Sequence, residues 1–132
     1  MSGIKQTTAI TVKSDSGGTV VSQSKAYTAP TEENFNVTVP AGGHKEVDLA
    51  IDVSQIVQFY VASDKDVKLN TNALADVDAD QTLNLVAKEA LLWNGDLAGV
   101  NPLTTDITKL YLINDGDTDA VVKGGFLLDV AV

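Results

Sequence analysis

The sequence lacks several of the side chains on which protein chemistry most often depends. Its 132 residues include no cysteine, one histidine and one tryptophan, and all nine basic residues are lysines. Without cysteine the chain has no disulfide and no thiol chemistry. Arginine is the preferred side chain for bidentate contacts with phosphate and guanine, and a net charge of −9 repels a polyanion. We therefore expect neither nucleic acid nor an anionic membrane surface as a partner.

Long apolar runs are missing as well, since none approaches the ~18 residues of a membrane-spanning helix. The N-terminal stretch MSGIKQTTAI lacks the basic start and apolar core of a secretory signal. We expect a protein that is made in a cytoplasm and stays there until it assembles. Its length corresponds to about one domain.

β-branched residues are abundant instead, with 17 Val, 13 Thr and 6 Ile, and these residues favour strands. Apolar and polar residues alternate in FNVTVP at 35–40 and in KEVDLAID at 45–52, whereas QIVQFYVA at 55–62 is almost continuously apolar. The pattern predicts an all-β fold, an antiparallel β-sandwich of jelly-roll or Greek-key type. The predicted core contains Phe35, Val37, Val39, Val57, Phe59, Val61, Leu110, Leu112 and Leu127.

One segment is ambiguous. DQTLNLVAKEALLWNG at 80–95 begins with a helix N-cap candidate, Asp80, and ends with a glycine, as a helix does. It also reads as two short strands, TLNLV and ALLW, around a kink at 87–89. We favour the strands, because the neighbouring segments are all predicted strands.

The N-terminal segment has little core pattern. Residues 1–25 are therefore a candidate mobile arm, residues 14–24 a loop, and residues 26–132 the sandwich domain. Three lysines and one aspartate make the arm net basic on an acidic body. A disordered arm of this kind can wrap a neighbouring subunit and order on binding.

Two acidic segments raise the question of a metal site. DVDAD at 76–80 places aspartates at positions 1, 3 and 5 of an EF-hand loop, but the required Gly at 6 is Gln81 and the required Glu at 12 is Ala87. We predict a solvated acidic turn and no metal or cofactor, with a looser cation site at Asp76, Asp78 and Asp80 as the alternative. NDGDTD at 114–119 is predicted to be a hairpin turn in which Gly116 has positive φ.

Catalytic groups do not converge in the sequence. His44 follows AGG at a predicted strand entrance, with no second histidine and no nucleophile motif nearby. Trp93 can stack on a sugar ring, but such sites usually use several aromatic residues, so we expect a core or interface anchor. We therefore do not expect an enzyme.

The segments VSQIVQFYVASDKDVKLNTN, DQTLNLVAKEALLWNGD and NPLTTDITKLYLINDGDTDAVVKGGFLLDV, over roughly residues 53–130, carry a family pattern. They resemble small β-sandwich capsid decoration proteins, which stabilise the heads of tailed bacteriophages. The resemblance implies a homotrimer on the capsid exterior of the virion, with the major capsid protein as its partner.

Two functions follow as hypotheses. The first is a non-enzymatic structural protein that binds the outer shell, with the N-terminal arm reaching the capsid. The second is a carbohydrate- or cation-binding attachment module, which requires an exposed Trp93 and ions at Asp76, Asp78 and Asp80.

Overall fold

The chain folds into ten β-strands in a computed structural model that describes residues 3–15, 18–94 and 100–129. The strands are β1 (Ile4–Ser14), β2 (Gly18–Ala29), β3 (Thr31–Val39), β4 (Gly43–Ile51), β5 (Ile56–Ser63), β6 (Val67–Thr71), β7 (Thr82–Leu85), β8 (Leu91–Asn94), β9 (Ile107–Asn114) and β10 (Ala120–Leu128). A 3-10 turn at Val53–Gln55 is the one helical element in these ranges. The described part of the chain accordingly holds no helix able to cross a bilayer.

Eight of the strands form two four-stranded antiparallel sheets. One sheet, the B sheet, has the order β3-β10-β5-β8, and the other, the C sheet, has the order β4-β9-β6-β7. From β3 onward each strand joins the opposite sheet to its predecessor, except that β7 stays beside β6. This wrapping of the chain between two sheets is the jelly-roll order. The predicted all-β, antiparallel sandwich is confirmed.

The core lies between the B and C sheets because each strand turns alternate residues inward. Its fully buried members include Phe59, Phe126, Leu110 and Leu112. Seven of the nine predicted core residues are buried, and Val37 and Val57 are half-buried.

Leu127 and Val57 depart from the simple alternating pattern. Leu127 is buried in the same cross-strand row as Glu32 and Gln58, outside the cluster that fills the space between the sheets. Val57 lies where the register between β5 and β10 shifts by one residue. A shifted residue has no directly opposed partner, which explains its partial exposure.

The ambiguous segment forms strands at Thr82–Leu85 and Leu91–Asn94, as we favoured, and residue 95 lies outside the described residues. β7 and β8 flank a tight turn in which Val86 bridges to Glu89 and Lys88 has a φ of 68°. The two strands join different sheets, so the turn carries the chain from one layer of the sandwich to the other.

The predicted hairpin at 114–119 is wrong. β9 belongs to the C sheet and β10 to the B sheet, so the turn joins the two layers. Gly42 is the one described glycine with positive φ, at 66°, so Gly116 does not supply the positive φ that we predicted. An asparagine side chain closes this turn instead: Asn114 Oδ1 accepts from the Gly116 amide at 3.0 Å, and Asn114 Nδ2 donates to the Thr118 carbonyl at 2.8 Å.

The N-terminal segment pairs with itself. β1 and β2 form a separate two-stranded antiparallel sheet, which we call the ribbon, with register partners running from Ile4 and Ala29 to Ser14 and Gly18. The expected loop at 14–24 is wrong for residues 18–24, which belong to β2, and residues 16 and 17 lie outside the described residues. The mobility of residues 1–25 stays a prediction.

Candidate functional site

The base of the ribbon is held on the outer face of the B sheet by buried amides. Gln58 on β5 is only 2% exposed; its Nε2 donates to Gln6 Oε1 at 3.0 Å, and its Oε1 accepts from the Thr8 hydroxyl. Asn94 Nδ2 on β8 donates to the same Gln58 oxygen at 3.0 Å. Gln6 Nε2 donates to Glu32 Oε2 on β3 at 2.7 Å. Each buried polar group named here has a partner, as burial requires.

One stretch of β2 is exposed on both of its faces. Gln23, Ser24, Lys25 and Ala26 are consecutive residues of β2, and all four are exposed. A strand that rests on a surface buries every second residue, because successive side chains point to opposite faces. β2 is therefore covered on neither face along residues 23–26, and Ala9, Thr11 and Asp15 are exposed as well.

Charge separates the ribbon from the body. Within residues 1–29, Lys5, Lys13 and Lys25 oppose Asp15, so the side-chain charge is +2. Because the whole chain carries −9, residues 30–132 carry −11. A basic element projecting from an acidic body is suited to bind another acidic surface.

The three aspartates of DVDAD do not converge. Asp76 Oδ1 accepts from Asn70 Nδ2 and Asp76 Oδ2 from Lys68 Nζ, both at 2.7 Å. Asp80 accepts from Asn72 Nδ2 at 2.6 Å, away from Asp76. Nowhere in residues 3–15, 18–94 and 100–129 do three acidic, histidine or cysteine side chains group as a metal site would need.

These bonds brace the loop that connects β6 to β7. Bonds from Asn70 and then from Lys68 lower the pKa of Asp76, because they favour its carboxylate, and the bond to Asp76 raises the pKa of Lys68. The Asn70 amide also donates to the Leu74 carbonyl at 2.9 Å. The acidic pattern thus serves to fold the loop back on its own strand.

A second polar cluster on the C sheet was not predicted from the sequence. Lys109 Nζ donates to Glu46 Oε1 at 3.1 Å, and this bond, with one from the Tyr111 hydroxyl, lowers the pKa of Glu46. The Glu46 carboxylate raises the pKa of both Lys109 and Tyr111. Alternation in β4 predicts that Glu46 points outward. It cannot identify Lys109 as its partner, because Lys109 lies on β9, 63 residues away.

Trp93 belongs to the sandwich. It pairs with Phe59 across β8 and β5, and the two rings stack with centroids 6.4 Å apart at 28°. Its indole Nε1 is buried and meets no hydrogen-bond acceptor among the described residues. The ring packs against the hydrophobic core while remaining half-buried, so it is not a free platform for a sugar. A contact with another subunit through its exposed edge stays a prediction.

His44, the remaining chemical candidate, is exposed on β4 and pairs with Ile113. Comparisons of the chain with protein-family models, curated proteins and solved structures found no match.

Proposed function

We propose that this protein is a non-enzymatic structural component of a virion, which decorates and stabilises the capsid of a tailed bacteriophage. It binds the outer shell of major capsid proteins as a homotrimer, after synthesis in the host cytoplasm. The observation that supports the proposal is the ribbon: a basic, two-stranded element on an acidic jelly-roll body, exposed on both faces along residues 23–26.

These features suit a protein that stays dispersed in solution until it binds a lattice of capsid subunits. A net charge of −9 keeps free copies apart. Hydrogen bonds from Gln6 and Thr8 hold the base of the ribbon on the sandwich. Many copies that each bind weakly add stability to a shell through multivalency.

The attachment-module alternative receives no specific support. Its sugar platform, Trp93, stacks on Phe59, and the carboxylate of Asp76 is already bonded to Lys68 and Asn70.

The experiment uses heads of the phage that encodes this chain, prepared without the protein, and purified full-length protein. Electron cryomicroscopy counts the bound copies, and the temperature of DNA release reports shell stability. Wild-type protein should occupy the heads and raise the release temperature. Failure of wild-type protein to bind would refute the function.

A charge-matched pair of variants tests the ribbon. Lys13→Glu/Lys25→Glu reverses the ribbon's charge, whereas Lys65→Glu/Lys123→Glu makes the same net change at exposed positions on the body. The ribbon variant should lose occupancy and the body variant should keep it. Wild-type binding should also weaken as salt rises, because exposed charges are screened. Equal binding by the two variants would show that the ribbon is not the contact.

A further inference from the structure

The ribbon is joined to the body in a way that permits exchange. β2 ends at Ala29 and β3 begins at Thr31, so Pro30 alone separates them. Proline fixes φ near −65°, a value that extended chain also accepts, and it biases the preceding residue towards extended conformations. Straightening this hinge converts β2 and β3 into one long strand without entering a forbidden backbone region. The ribbon then leaves its own body as an intact unit.

The contacts at the ribbon's base are separable from the rest of the fold. Gln6 and Thr8 come from β1, whereas Glu32 and Gln58 come from the body. A second copy of the chain presents the same glutamate and glutamine in the same geometry. Exchange therefore replaces each bond by an identical one, which is why swapping of a terminal element costs little.

We infer that in the assembled protein each ribbon docks on the B sheet of a second copy, in the place of that copy's own ribbon. The single-residue connection at Pro30 favours this occupant, because short hinges invite exchange, and the receiving body carries the same −11 that attracts the ribbon's +2. A two-stranded sheet is marginal by itself, so the ribbon needs a body to pack against, and a second copy presents the same surface as its own.

Each copy gives a ribbon to one neighbour and receives one from another, so the contact is heterologous and a closed ring satisfies every copy. That the ring has three members rests on the proposed function, since threefold sites are the ones a shell lattice offers. Exchange itself does not depend on a shell and is measured in solution.

The absence of cysteine makes the test direct. Thr7 on the ribbon and Ala90 on the body are both exposed, and both line a groove of about 480 Å³ between the two parts. The double variant Thr7→Cys/Ala90→Cys is treated with a short bismaleimide and run on a denaturing gel. Exchange predicts covalent oligomers up to three times the 13.9 kDa chain mass. Cross-linked monomer alone would overturn the inference.

Mixing two single variants gives an independent readout. Differently tagged Thr7→Cys and Ala90→Cys chains, refolded together, should yield cross-linked heterodimers. The matched control pairs Thr7→Cys with Ala75→Cys, an exposed position on the loop between β6 and β7 of the C sheet. Heterodimer yield no greater than in this control would also overturn exchange.

A hinge variant separates exchange from ordinary association. Inserting a flexible Gly/Ser segment beside Pro30 removes the short hinge that invites exchange, so the ribbon should stay on its own body and the mass in solution should fall towards the monomer. An unchanged oligomer would count against exchange. Protein that cross-links only within one chain yet decorates heads would leave the proposed function standing; protein that exchanges ribbons yet binds no heads would refute that function alone.

Discussion

Replacing Gly124 by alanine should destabilise the protein, whereas the same replacement at Gly125 should not. Both glycines lie inside β10, and each is directly opposite a residue of β3 and one of β5, so neither marks a bulge. A Cβ on Gly124 would collide with Cε1 of Phe35, whose ring is buried in the core. The space that a side chain would need is filled by this ring, which accounts for the glycine.

The expected loss of stability depends on whether the side chains next to each glycine can move aside. Overfilling a packed core costs ~1–3 kcal/mol, and restricting the unfolded chain by removing a glycine offsets ~0.4–1 kcal/mol. We expect Gly124→Ala to lower the free energy of unfolding by about 1–2 kcal/mol, or the melting temperature by about 3–10 °C. At Gly125 the new Cβ would meet only the tips of Asn34 and Tyr60, which are exposed and can swing away. Its effect should stay within ~0.5 kcal/mol.

Urea denaturation of both variants, followed by far-ultraviolet circular dichroism, measures the difference. The double variant Phe35→Leu/Gly124→Ala should recover part of the loss, with a coupling of roughly 0.5–3 kcal/mol in the double-mutant cycle. Equal stability of the Gly124 and Gly125 variants, or zero coupling to Phe35, would refute the packing argument.

Four further predictions concern the polar groups. Gln58→Ala should cost ~1–3 kcal/mol by stranding buried amides, and amide exchange should rise in β1 and β2 well before β4 and β9; a uniform rise would contradict this. Asn72 has a φ of 67°, and its side chain accepts a hydrogen bond from the Thr108 amide at 2.8 Å. Asn72→Ala should lower the free energy of unfolding, measured by thermal unfolding, by ~2–3 kcal/mol. Asn72→Gly should lower it less, because glycine tolerates that φ. The pKa of Asp76 is lowered from 3.8, so ionised Asp76 stabilises the fold above pH 3.8, and this stabilisation is lost as pH falls through the lowered pKa. Asp76→Asn should therefore make the free energy of unfolding depend less steeply on pH in the acid range. An unchanged pH dependence would contradict this prediction. Calcium should leave the melting temperature nearly unchanged. A true calcium site would add ~2.7 kcal/mol to the free energy of unfolding at a free calcium concentration about 100 times its Kd. An increase that is lost in Asp76→Ala/Asp78→Ala would establish a cation loop.

The candidate contact surface could be anticipated only in part. Its basic charge is visible in the sequence, but its strand pairing is not. Gln6 and Thr8 face amides on the sheet below them, so β1 shows no alternation of apolar residues at its base. Hydrophobic periodicity cannot detect a strand whose buried face is polar.

The sequence by itself determined that the protein is built of strands, and which residues of most strands face inward. Alternation in β3 and β9 is local information, since a period of two places successive side chains on opposite faces whatever lies beyond them. The sequence also located the kink between β7 and β8 at 87–89.

Tertiary structure alone decided which strands are neighbours. The segment at 114–119 has the composition of a hairpin turn, which would pair β9 with β10. β10 instead pairs with β3 and β5, because in the B sheet its apolar face is buried against the C sheet, which contains β9. The same holds for Asp76, whose partners were fixed when the loop folded back over β6. Periodicity specifies that a face is buried but not what buries it, and that choice depends on contacts between residues far apart in the chain.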